Sequence, residues 1–103
     1  MNSIYTGEIK IGDLIIISSG NYLEIGFYVG RGQNDSVQYY HLSELNWWIK
    51  RLKEPNPPKR KLPYVSHINV IHPTRIAKYD VNLLTNEYKE IYEKGIELLK
   101  LNK

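Results

Sequence analysis

Positions 23–29 alternate without a slip: Leu23, Ile25, Phe27 and Val29 point one way, while Glu24, Gly26 and Tyr28 point the other. A period of two is the pattern of a strand with one buried face. The apolar run Leu14-Ile15-Ile16-Ile17 precedes it, and Ser19-Gly20-Asn21 supplies turn chemistry between the two. A central β-hairpin is predicted, with Leu23, Ile25, Phe27 and Val29 buried together against Ile15 or Ile17. Upstream, Glu8-Ile9-Lys10-Ile11 alternates and runs into the turn pair Gly12-Asp13. Downstream, the Gly30-Arg31-Gly32-Gln33-Asn34-Asp35 segment reads as a loop. Ser36 to Leu42 then forms a third strand through its aromatic and β-branched content.

After this strand the period changes. Leu45, Trp48, Ile49 and Leu52 follow the i, i+3, i+4, i+7 spacing of one helical face. With Ser43 as N-cap and Glu44 against the positive helix end, a short helix is expected from Glu44 to about Lys53. A strand through Trp47-Trp48-Ile49 is the competing reading. Glu54 to Pro63 is irregular, because its prolines remove backbone donors and fix φ. Tyr64 to Ile71 and Arg75 to Tyr79 are two further strands around His72-Pro73-Thr74. Thr85 caps a final helix from Asn86 to about Leu101, whose stripe is Tyr88, Ile91, Tyr92, Ile96 and Leu99. Gly95 interrupts that helix at a cost of about 1 kcal/mol relative to Ala.

About five short strands and one amphipathic helix suggest a small, mainly β, strongly bent barrel. Gly26 and Gly30 would help its central strand coil. The stretches IKIGDLIIISS, GFYVGRG and VQYYHL resemble the opening strands of SH3-like barrels of the KOW and Tudor kind. The closing DVNLLTNEYKEIYEKGIELL resembles the tail of small accessory proteins of large bacteriophages. The first resemblance implies an SH3-like barrel over about 8–80, with an insertion at 43–63 that a minimal barrel lacks and a helix over about 86–101. The second implies a small protein that docks on a host protein, such as a polymerase or a defence nuclease, in the host cytoplasm.

Composition narrows the chemistry. One domain is expected from 103 residues. The absence of cysteine excludes disulfides and thiolate catalysis and fits a reducing, cytoplasmic setting. The N-terminus lacks the pattern of a signal peptide, and no apolar run spans a bilayer. The net charge of +3 is unevenly spread: residues 1–49 carry −3, residues 50–61 carry +5, and the remainder carries +1. A cationic block of this kind attracts a polyanion or an acidic protein face.

An enzyme is the least favoured class. His67 and His72 are five residues apart, which on a strand places them on opposite faces, so no metal site is expected. Gly30-Arg31-Gly32 lacks the third glycine of a dinucleotide fingerprint, and no Ser, Thr or Lys sits in a nucleophile motif. No cofactor is expected.

A non-catalytic binding module is the leading reading. Trp47, Lys50, Arg51, Lys53, Lys59, Arg60 and Lys61 lie in one segment, 47–61, with Arg31 and Tyr40 as supplementary contacts. An indole beside cations can stack a base over a phosphate backbone, which points to nucleic acid. The same residues suit a protein-binding hot spot, or an inert arrangement with Trp47 under the proline-rich loop. Tyr28, Tyr39 and Tyr40 likewise allow either an aromatic binding face or a second core beneath the C-terminal helix.

Overall fold

A computed structural model describes residues 5–6, 8–33, 36–60, 62–69 and 74–99. It contains the strands β1 (Tyr5–Thr6), β2 (Leu14–Ser19), β3 (Tyr22–Arg31), β4 (Ser36–His41), β5 (Ser66–Asn69) and β6 (Arg75–Lys78). The helices are α1 (Leu42–Leu52) and α2 (Asn86–Leu99), with a 3₁₀ turn at Val81–Leu83. The sheet order is β1-β6-β2-β3-β4-β5. β1 runs parallel to β6, and every other pairing is antiparallel. Among the described residues the sheet does not close. No helix among them is long and apolar enough to cross a membrane.

The hairpin forms where the alternation and turn residues predict it, with Ser19 paired to Tyr22 across Gly20-Asn21. Its face assignment differs from the expectation. Leu14 pairs with Phe27 and Ile16 with Ile25, whereas Ile15 and Ile17 pair with Gly26 and Glu24. Side chains alternate along a strand, so Ile15 and Ile17 occupy the face opposite Phe27. Leu23, at the hairpin end, is 64% exposed rather than buried with Phe27.

Both faces are covered. Leu14, Phe27, Leu42, Leu45, Leu84 and Ile91 form a cluster on the face that receives the helices. Ile15, Ile17, Tyr28, Val37, Tyr39 and Ile76 form a second cluster, with Ile9 and Ile68 against it. Among the described residues no helical residue belongs to that second cluster, so Tyr28 and Tyr39 are core residues packed against side chains of the sheet and of Ile9 rather than against the described part of α2. Tyr40, of opposite parity, is half-buried against the first cluster.

Two local features of β3 favour bending of the sheet. β3 carries a bulge between Tyr28 and Gly30, the latter at φ 143°, and bulges increase local twist. At Gly26 the backbone of β4 comes so close that a Cβ would collide with the Tyr40 carbonyl oxygen.

α1 is a helix, not a strand, and begins two residues earlier than the spacing predicts. His41, not Ser43, is its N-cap, and no side chain bonds the cap. α2 begins as expected: Thr85 Oγ1 accepts from the Tyr88 N–H at 3.2 Å and the Thr85 carbonyl from the Lys89 N–H at 2.8 Å. Ile91 is buried, while Tyr88 is 38% exposed and sits at the margin of the stripe. The segment from Tyr64 starts as a strand only at Ser66. Its end at Val70 and Ile71, the His72-Pro73 turn and the helix end at Lys100 and Leu101 lie outside the described residues.

Gly95 has a packing role. A Cβ there would lie 2.8 Å from Phe27 Cε2 and 3.4 Å from Leu45 Cδ1. The Phe27 ring is fully buried and stacks on Tyr92 at a centroid distance of 5.3 Å, so it has nowhere to retreat. Gly95→Ala gains about 1 kcal/mol of helix propensity but overpacks the interface at about 1–3 kcal/mol. The expected result is a lower urea midpoint at unchanged slope; a raised midpoint would refute the packing role.

Candidate binding surface

α1 sorts its residues by angle. Leu42, Leu45 and Trp48 are buried, which turns Trp47, Lys50 and Arg51 outward. Trp47 is 57% exposed and is not under the proline-rich loop. The Arg51 guanidinium lies 5.2 Å from the centre of the Trp47 ring, a cation–π arrangement. The Arg51 Nε is buried and has no hydrogen-bond partner among the described residues. Trp48 meets Trp47 at 6.5 Å with rings tilted by 48°, so the outer indole rests on the buried one. Lys50 and Arg51 in the last turn also complement the negative helix end. Ser66 Oγ donates to Glu44 at 3.0 Å and ties α1 to β5.

The loop that follows contributes a second such pair. Arg60 lies 3.8 Å from the centre of the Tyr64 ring, which is 70% exposed, and its Nε donates to the Leu62 carbonyl at 3.2 Å. Lys53, Lys59 and Arg60 are exposed. Together with α2, this loop bounds a groove of about 660 Å³. Half-buried Ile49, Leu52, Pro58 and Leu98 form its apolar floor, with exposed Pro57 beside them, and the charged residues lining it are Lys53, Lys59, Arg60, Lys94 and Glu97. Lys61 lies outside the described residues. Arg31 is exposed at the end of β3, and Tyr40 is half-buried on the helix-covered side of the sheet. The sequence therefore indicated the outer face of α1 and the basic loop. Tyr64 and Lys94 join them only in three dimensions.

A separate polar cluster surrounds Glu24, on the face of β3 opposite Phe27. Both carboxylate oxygens of Glu24 are engaged: Tyr22 and Tyr39 donate their hydroxyls to it, and His41 Nε2 lies 3.3 Å from Oε1. Burial, followed by the bond to Glu24, pushes the Tyr39 phenol far above its ordinary value. The Tyr22 phenol is raised by partial desolvation and then by the same carboxylate. Both phenols are thus held protonated, as donors, and the cluster clamps β3 to β4. Beside it is a hollow of about 210 Å³ lined by Leu23, Ile25, Ser43 and Tyr88 among others. The signal available in the sequence was parity, since Glu24 shares the face of Tyr28, whose cross-strand partner is Tyr39.

His67 is exposed on β5, and His72 is outside the described residues. No group of three or more His, Cys, Asp or Glu that could hold a metal ion occurs among the described residues. No protein-family model, curated protein or solved structure matches the chain.

Proposed function

We propose that this protein is a non-catalytic binding module that engages nucleic acid through the outer face of α1 and the proline-rich loop. The observation that carries this reading is the exposed Trp47 ring beside the Arg51 guanidinium, at the start of a segment of net charge +5. The exposed part of the indole, beside a cation, offers a surface on which a base can stack, and the neighbouring exposed lysines can neutralise phosphates. Arg60 and Tyr64 repeat the arrangement. We also propose an SH3-like barrel for the sheet: the run β6-β2-β3-β4-β5, bent at Gly26 and at the β3 bulge, is compatible with one. The rival reading is a phage-type accessory protein that docks on a host polymerase or defence nuclease and blocks or redirects it. The apolar floor of the groove favours this second reading, because a phosphate backbone has no use for it.

Fluorescence anisotropy with a labelled single strand at two salt concentrations is the test. Log K should fall with log [salt] at a slope of about −0.7 per phosphate neutralised. Changing Lys59, Arg60 and Lys61 to Ala should flatten the slope with little loss of stability, because Lys59 and Arg60 are exposed. Trp47→Ala should remove about 1–3 kcal/mol of affinity without flattening it. Absence of binding at micromolar protein in low salt would overturn the nucleic-acid reading.

A further inference from the structure

The groove differs in kind from the surface around Trp47. Ile49 and Leu52 lie on the opposite side of α1 from Trp47, two and five residues along a helix of 3.6 residues per turn. Pro57 and Pro58 come from the loop and Leu98 from α2, so three segments meet over one apolar floor. Its volume of about 660 Å³ is spread over a broad depression open to solvent, which suits an occupant that lies along the surface rather than one that is enclosed. Among the described residues four cations, Lys53, Lys59, Arg60 and Lys94, stand around it against the carboxylate of Glu97. None of its described lining residues belongs to a strand, so among them there is no sheet edge to which an extended peptide could add. An occupant must satisfy its own backbone, bring apolar side chains and carry negative charge.

We infer that this groove seats an acidic amphipathic helix from a partner protein, its apolar stripe on Ile49, Leu52 and Leu98 and its carboxylates against Lys53, Lys59 and Lys94. Such a helix completes its own hydrogen bonds, and α1 and α2 supply ridges on which its i, i+3, i+4 and i+7 side chains pack. The rim sets the sign of the partner, because like charges facing each other across an interface are penalised. The inference is independent of the nucleic-acid reading, although Lys59 and Arg60 border both surfaces. Lys94, on α2, belongs to the groove alone.

The probe is a labelled synthetic helix of about four turns, with Leu at helical spacing and Glu between. Its controls are a scramble of the same composition and a version with Lys in place of Glu. Anisotropy with the full chain should show the acidic amphipathic peptide binding about tenfold or more tighter than either control. The preference over the scramble should persist at high salt, because the floor and not the rim supplies it. Lys94→Glu, an exposed change, should weaken the peptide about three- to tenfold and leave single-stranded DNA affinity within twofold. Trp47→Ala should leave the peptide unaffected. Equal binding of the scramble, or an unchanged affinity in Lys94→Glu, would overturn the inference. Equal weakening of peptide and DNA by Lys94→Glu would also overturn it, by making the groove part of the nucleic-acid surface.

Discussion

Phe27→Ala is expected to destabilise the protein by about 3–5 kcal/mol, the usual cost of deleting a large buried aromatic ring. Phe27 is fully buried, is paired with Leu14, and stacks on Tyr92 at an interplanar angle of 18°. Its ring is also what Gly95 accommodates, so one side chain joins the sheet, α1 through Leu45, and α2. A domain of this length has about 5–15 kcal/mol to lose, so the variant should be close to unfolding at 37 °C. Amide exchange should accelerate first in α2, whose docking depends most on the ring. The background also reverses the sign of a second change. With the ring gone, the clash at position 95 disappears, and Gly95→Ala should then stabilise through helix propensity by about 1 kcal/mol. A double-mutant cycle by urea denaturation measures both effects. A loss below about 1 kcal/mol for Phe27→Ala would show that the ring does not organise the helix layer.

Gly26→Ala should be nearly as damaging, although it adds one methyl group. Gly26 is a middle-strand residue flanked by Ile15 on β2 and His41 on β4. A Cβ there would run into the carbonyl group of Tyr40, with its carbon at 3.0 Å. A side chain could turn away, but this neighbour is backbone, and relief requires β3 and β4 to separate. Overpacking commonly costs about 1–3 kcal/mol, and the upper end is expected where no rotamer offers an escape. Separation of these strands also pulls His41 from Glu24, so exchange protection should fall in β4 as well as β3. Near-wild-type stability and protection would mean that the sheet does not need this close approach.

The outer surface of α1 was legible because a helix carries its own angular code. Once Leu45, Trp48 and Leu52 define the buried side, Trp47, Lys50 and Arg51 must face out. The groove was not legible, since its floor combines Ile49 and Leu52 with Leu98, and nothing local relates residues that far apart. The Glu24 clamp was hidden for a related reason. Tyr22 lies on the same strand, but Tyr39 and His41 reach Glu24 only through the pairing of β3 with β4.

The sequence by itself determined the elements that local physics dictates. The alternation at 23–29 makes a strand, Ser19-Gly20-Asn21 turns it back on the Leu14 run, and Thr85 starts α2. The cationic block is likewise a property of composition alone. Tertiary structure decided which apolar residues meet. In Leu14-Ile15-Ile16-Ile17 every side chain is apolar, so alternation says that two faces exist but not which one the helices cover. The register of β2 against β3 settles this, sending Leu14 to Phe27 and α2, and Ile15 and Ile17 to the tyrosines of the second cluster. Gly95 reads as a weak point in an isolated helix and becomes a point of close approach between the sheet and α2, because its cost is local and its benefit depends on a ring 68 positions earlier.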